Sequence, residues 1–150
     1  MAQATNPLNA TYWIDEFPVN LRNGRAEQVI APGSAIKSKT SVVGRPVTGD
    51  LDGDGIDDAV LLLVHDPGGS GTFFYLAAAL NRQGRFAGTR AVLLGDRIEP
   101  LSIVLEDGVV TVRWKQHATG QPMSASPSAE MNRRLAVDKS EPAFLKQVDD

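Results

Sequence analysis

Five aspartates, Asp50, Asp52, Asp54, Asp57 and Asp58, fall within nine residues, and the unbroken apolar run Ala59 to Val64 follows at once. Such a run has to be buried, and carboxylates placed against its first residue must stay near water or meet a compensating charge. This junction predicts a tight acidic loop at the mouth of a core strand. The run is far shorter than the 18 or so apolar residues of a membrane-spanning helix. The formal net charge is −3, and the loop alone contributes five negatives, so the remaining chain is slightly basic. A nucleic-acid partner recruited by bulk electrostatics is therefore not expected.

Elsewhere the dominant pattern has period two. Leu101, Ile103 and Leu105 alternate with Ser102 and Val104, and Val110, Val112 and Trp114 alternate with Thr111, Arg113 and Lys115. Asp107-Gly108 between them supplies the positive φ angles of a tight hairpin turn. Asn23-Gly24 is a second turn of this kind, between Val19-Asn20-Leu21 and the run ending Val29-Ile30. Ala35 to Val43 also alternates, with Lys37 and Lys39 on one solvated face.

Thr72 to Leu80 is apolar on both faces, which periodicity alone reads as either a buried strand or a helix. Its aromatics and turn-rich flanks favour the strand. Residues 117–130, rich in Gly, Pro and Ser, predict a long mobile loop, with a last strand over Met131 to Val137. Residues 1–9 and the tail from Ser140 are expected to be loose. The fold expected for 1–150 is one mainly β domain of roughly seven to nine mostly antiparallel strands, a sandwich or a curled, barrel-like sheet. It carries at most one or two short helices.

In the acidic loop, carboxylates stand at positions 1, 3, 5 and 9, with Gly55 at position 6. Calcium takes six to eight oxygens at about 2.3–2.6 Å, and alternating aspartates on a tightly curled loop aim carboxylates inward. Gly55 permits the bend, and the carbonyl of Ile56 stands at position 7 as a further oxygen ligand. The expected ligands are Asp50, Asp52, Asp54, Ile56 and Asp58, with calcium (Ca2+) ahead of magnesium, in a structural role; Asp57 points outward or hydrogen-bonds the loop. This is not an EF-hand, because position 12 is Leu61 and the flanks read as strands rather than helices. The competing reading is an Asx-turn-rich connection that binds nothing, since Asp and Gly are ordinary turn residues.

Gly49 to Asp58 with the apolar strand after it, and the turn Leu80-Asn81-Arg82-Gln83-Gly84-Arg85-Phe86, resemble the calcium loop and closing turn of FG-GAP/VCBS-type repeats. Those repeats build propellers of several blades, whereas this chain carries one copy over about Gly49 to Gly88, so a propeller is not expected. The same loop, taken with Gly68-Gly69-Ser70-Gly71-Thr72-Phe73, Tyr75-Leu76 and Leu94-Gly95-Asp96-Arg97, is similar to uncharacterised bacterial exported or lipoprotein-type domains. That likeness implies an extracytoplasmic location: periplasmic, secreted or lipid-anchored. Residues 1–6 carry no basic and apolar signal pattern, so this chain lacks the signal sequence such export requires. The cysteine pair such domains carry after an Asp-Pro-Met-like turn has no counterpart at Gln121 to Pro127, and the chain has no cysteine at all.

Catalytic signals are weak. Gly68-Gly69-Ser70-Gly71 fails the G-x-S-x-G pattern at Thr72, and no Gly-Lys-Ser/Thr marks a phosphate loop. His65, Asp66 and Ser70 make a triad conceivable by composition alone. His117 has no partner at metal-ligand spacing. The expected function is thus a non-enzymatic, calcium-stabilised binding module whose partner is a protein or cell-envelope component. The alternatives are a hydrolase built on Ser70/His65 or the acidic loop, and a structural domain packed on a partner.

Overall fold

The computed structural model describes residues 5–29, 33, 35–140 and 142–148. Twelve strands are found among them: β1 (Thr11–Ile14), β2 (Phe17–Asn20), β3 (Arg25–Val29), β4 (Lys37–Gly49), β5 (Asp58–Asp66), β6 (Phe73–Arg82), β7 (Arg85–Gly88), β8 (Val92–Asp96), β9 (Glu99–Glu106), β10 (Val109–Gln116), β11 (Ala129–Asp138) and β12 (Phe144–Gln147). The fold is mainly β, its ladders are antiparallel, and it is neither a closed barrel nor a propeller. The strand count exceeds seven to nine because β1, β2, β7 and β12 have only four residues each, too few for an alternation to register.

β3-β4-β5-β6-β7 form one sheet, and β8 joins the same edge of β6 beyond β7. β12-β11-β10-β9 form a second sheet, and β1-β2 a two-stranded ribbon. The first sheet lies between the other two. Val60, Leu62, Leu76, Ala78 and Leu80 pack with Val110, Val112, Trp114, Leu135 and Leu145 in one core. On the opposite face Leu61, Leu63, Tyr75, Ala77 and Ala79 pack with Tyr12, Ile14, Val19 and Leu21 in another. This explains why β5 and β6 are apolar without alternation: both of their faces are covered. Thr72 to Leu80 is accordingly strand, and its three alanines keep the middle layer thin.

The Asp107-Gly108 turn forms as expected, with φ of 52° and 74°. Asn23-Gly24 also turns (φ 51° and 79°), closed by bonds from Arg22 N–H to Arg25 O (2.8 Å) and from Arg25 N–H to Arg22 O (3.1 Å). The strands on either side of this turn do not pair further. β2 returns to β1 and β3 runs on to β4, so the turn passes the chain from one layer to the next.

The tail expected to be loose contains β12, which pairs with β11 and buries Leu145. Near the other end, Pro7–Asn9 form a 3-10 turn capped by Asn6 Oδ1, which accepts from Leu8 N–H at 2.9 Å. The 117–130 segment gives its last two residues to β11. Its remainder is organised around Gln121, whose side chain bonds Ala118 N–H, Ser126 O and Ser128 Oγ.

Between β7 and β8 the chain leaves β6 to stitch the layers together. Thr89 N–H donates to Ala78 O (2.8 Å), and Thr89 Oγ1 accepts from Ala78 N–H (3.0 Å), so the side chain completes a ladder that the backbone has abandoned. Arg90 N–H donates to Ala143 O, and Trp13 exchanges backbone bonds with Thr89 and Ala91. Arg90 thereby bridges β1 on one side and Phe144 of β12 on the other. Thr89 is fully buried, so Thr89→Val leaves the Ala78 N–H without a partner. The expected loss is about 1–3 kcal/mol in a urea melt, largely recovered by Thr89→Ser.

Candidate metal centre

The acidic loop is positioned by its ends. β4 carries an irregularity between Val43 and Val47, beyond which it continues to Gly49 beside the second sheet. A Cβ on Gly49 would come within 2.7 Å of Leu105 Cδ2, so a larger residue here would push the Leu105 side chain aside. Leu51 is buried in the core between the two larger sheets and anchors the loop's first turn. Asp58, at the start of β5, is 1% exposed. Its Oδ2 accepts from Leu51 N–H and its Oδ1 from Asn81 N–H, both at 2.8 Å. The acidic loop and the β6–β7 turn, two separate parts of the sequence pattern, thus meet on one carboxylate.

The other aspartates shape the loop from within. Asp50 Oδ1 accepts from Gly53 N–H (2.9 Å) and Oδ2 from Gly55 N–H (2.8 Å), while Asp54 Oδ1 accepts from Ile56 N–H (2.9 Å). A longer bond of 3.4 Å runs from Asp54 N–H to Asp52 Oδ1. Gly53 and Gly55 take φ of 81° and 82°, which lets the chain curl tightly enough for successive side chains to converge. Asp50, Asp52, Asp54 and Asp58 each offer a carboxylate oxygen, and these four oxygens lie within 4.8 Å of one another. A carboxylate oxygen that accepts one N–H keeps a second lone pair. Asp57 is exposed and outside the group; Ile56 sits on the loop with its side chain exposed.

The electrostatics within the group are uneven. Donation from the Gly55 N–H, with help from Gly53, holds the Asp50 carboxyl below its ordinary range. Burial, followed by the charges of Asp58 and Asp54, pushes Asp52 up. The Asp52 side chain is 5% exposed, and Lys139 Nζ stands 3.7 Å from its Oδ2. Lys139 follows β11 and lies far from the loop in sequence, and nothing in the local pattern marks it. The donors are all oxygens, and their net charge suits a hard divalent cation.

The triad conceived from His65, Asp66 and Ser70 is not brought together by hydrogen bonds. His65 Nδ1 shares a 2.8 Å bond with Thr40 Oγ1, and its ring meets Tyr75 edge-on at 6.3 Å. Asp66 Oδ1 caps its own turn by accepting from Gly68 N–H, and Ser70 is exposed. Asp96 accepts from Thr72 N–H and pairs with Arg97. His117 Nε2 bonds Ala125 O.

Burial depresses the His65 pKa, against the opposing pull of Asp66 and Asp15. A histidine held below its unfolded value favours the neutral form in the fold, so its effect is to lower stability as pH falls through about 6.5. Below the folded pKa the penalty levels off. The melting midpoint of the wild type is therefore expected to drop more between pH 7 and 5 than that of His65→Gln. Parallel pH profiles would refute this assignment.

No helix among the described residues is long and apolar enough to cross a membrane. The chain matches no protein-family model, no curated protein and no solved structure.

Proposed function

We propose that this chain is a non-enzymatic β domain of an exported bacterial protein, stabilised by one calcium ion. The ligands are Asp50, Asp52, Asp54, Asp58 and the carbonyl of Ile56. The observation that carries the reading is the convergence of four carboxylates from one loop onto a common point, with two of them buried against the core. Four carboxylates exceed what magnesium ordinarily takes from a protein, and calcium's six to eight oxygens accommodate all of them with the Ile56 carbonyl. A partly solvent-open loop suits the weak calcium sites of extracellular modules. The periplasmic, secreted or lipid-anchored location follows the likeness to exported domains, whereas the role as a binding module for a protein or cell-envelope component follows the acidic loop set between strands and the weakness of the catalytic signals.

The test is calorimetric titration of EDTA-stripped protein. Calcium is expected to bind at one saturable site, magnesium more weakly, and Asp54→Ala to abolish the heat. Absence of saturable heat up to about 10 mM calcium, beyond the range of extracellular modules, overturns the metal assignment. Retention of the tagged chain on envelope fractions in preference to cytosolic extract tests the binding role.

A further inference from the structure

We propose that Asn23-Gly24 is a covalent modification site, a deamidation step, whose rate is set by the 3-10 turn packed over it. It is the one Asn-Gly pair in the sequence. In such a pair the glycine nitrogen, once deprotonated, attacks the asparagine side-chain carbon. A C–N bond forms, ammonia leaves, and a cyclic imide results. Water then opens either of the two ring C–N bonds, giving aspartate or its β-linked isomer. Glycine offers no side chain to obstruct the attack.

The local geometry opposes each step before ring closure. Gly24 N–H, the nucleophile's own group, donates to Leu8 O at 2.8 Å. Asn23 N–H donates to Asn9 Oδ1 at 2.8 Å, and Gly24 O accepts from Val42 N–H at 2.9 Å. Both residues have positive φ in a turn closed by paired bonds between Arg22 and Arg25. Ring closure needs rotation about the Asn23 Cα–C bond, which breaks that closure. Gly24 is buried, with Leu8 and Val42 beside it, while the Asn23 side chain is exposed to the water that would complete the reaction. The lock is therefore the turn at Pro7–Asn9 and its cap, Asn6. Local opening of that turn becomes the gate.

The measurement is the rate of amide-to-acid conversion at Asn23, followed by peptide-mapping mass spectrometry at pH 7.4. The intact chain is compared with a synthetic peptide covering residues 19–28. The intact chain is expected to react more than about tenfold more slowly, because only the opened population reacts. An Asn6→Ala/Asn9→Ala double variant, shown by circular dichroism to keep its fold, is expected to react several-fold faster than wild type. A native rate equal to the peptide's overturns the proposal, and so does a folded double variant with an unchanged rate. Should the double variant unfold, hydrogen exchange at the wild-type Gly24 N–H decides. Strong protection supports the lock, and exchange at the free-peptide rate overturns it.

Discussion

Saturating calcium is expected to raise the thermal midpoint by roughly 5–10 °C over the same protein in EDTA. A ligand that binds only the folded chain stabilises it by RT ln(1 + [L]/Kd), about 2.7 kcal/mol at one hundred times Kd. For a domain of this size each kcal/mol moves the midpoint by about 2–4 °C. The shift comes from relieving a specific conflict. Asp52 is held in its charged form against burial and the charges of Asp58 and Asp54, with one lysine nearby. A divalent cation at the common point reverses the sign of that interaction for all four carboxylates. Asp54→Ala should lose the calcium response while changing the midpoint in EDTA little, because Asp54 is exposed and its one bond closes a surface turn. Equal midpoints with calcium and with EDTA would leave the acidic group as a set of turn caps.

Asp58→Ala is expected to cost about 3 kcal/mol even in EDTA, which separates it from every other aspartate of the loop. Its carboxylate accepts from the buried Leu51 N–H and also serves Asn81 N–H. Removing it orphans both donors, at about 1–3 kcal/mol for each buried group. Relief of repulsion on Asp52 offsets part of the loss. Asp58→Asn keeps one acceptor oxygen but turns an NH2 group toward a backbone N–H, so it should recover little. Denaturant melts of the wild type and of the Asp58→Ala, Asp58→Asn and Asp54→Ala variants in EDTA provide the check. A loss no larger for Asp58→Ala than for Asp54→Ala would show that the two bonds contribute nothing net.

Much of this was legible in the residues. Period-two alternation and the Asp107-Gly108 turn located β9 and β10 because Ile103 and Leu105 face the core beside Val110, Val112 and Trp114, although Leu101 falls at an irregularity in the ladder and is exposed. The acidic loop was legible because its curl depends on residues within nine positions. What escaped reading depends on contacts distant in sequence. Nothing local in Phe144–Gln147 shows that β11 waits beside it. Lys139 reaches Asp52 only through the layering of the sheets. Thr89 resembles any loop threonine until its hydroxyl is seen completing the β6 ladder. The divergence of the chain after Asn23-Gly24 is of the same kind: the turn chemistry is local, whereas the choice of neighbouring strand is set by which face of β5 and β6 remains uncovered.

The stitch at Arg90 has a consequence for the order of assembly. Its two neighbours, Trp13 and Phe144, lie far from it on either side in sequence, so the sheet edge they share is completed only after two long loops have closed. Closing a long loop costs entropy that no local contact returns in advance. Folding should therefore be slow for a chain of this length and late in its commitment. β5 and β6, already paired through a short connection, would wait with both apolar faces open. During that interval the middle layer, the most protected part of the finished molecule, is its most adhesive part.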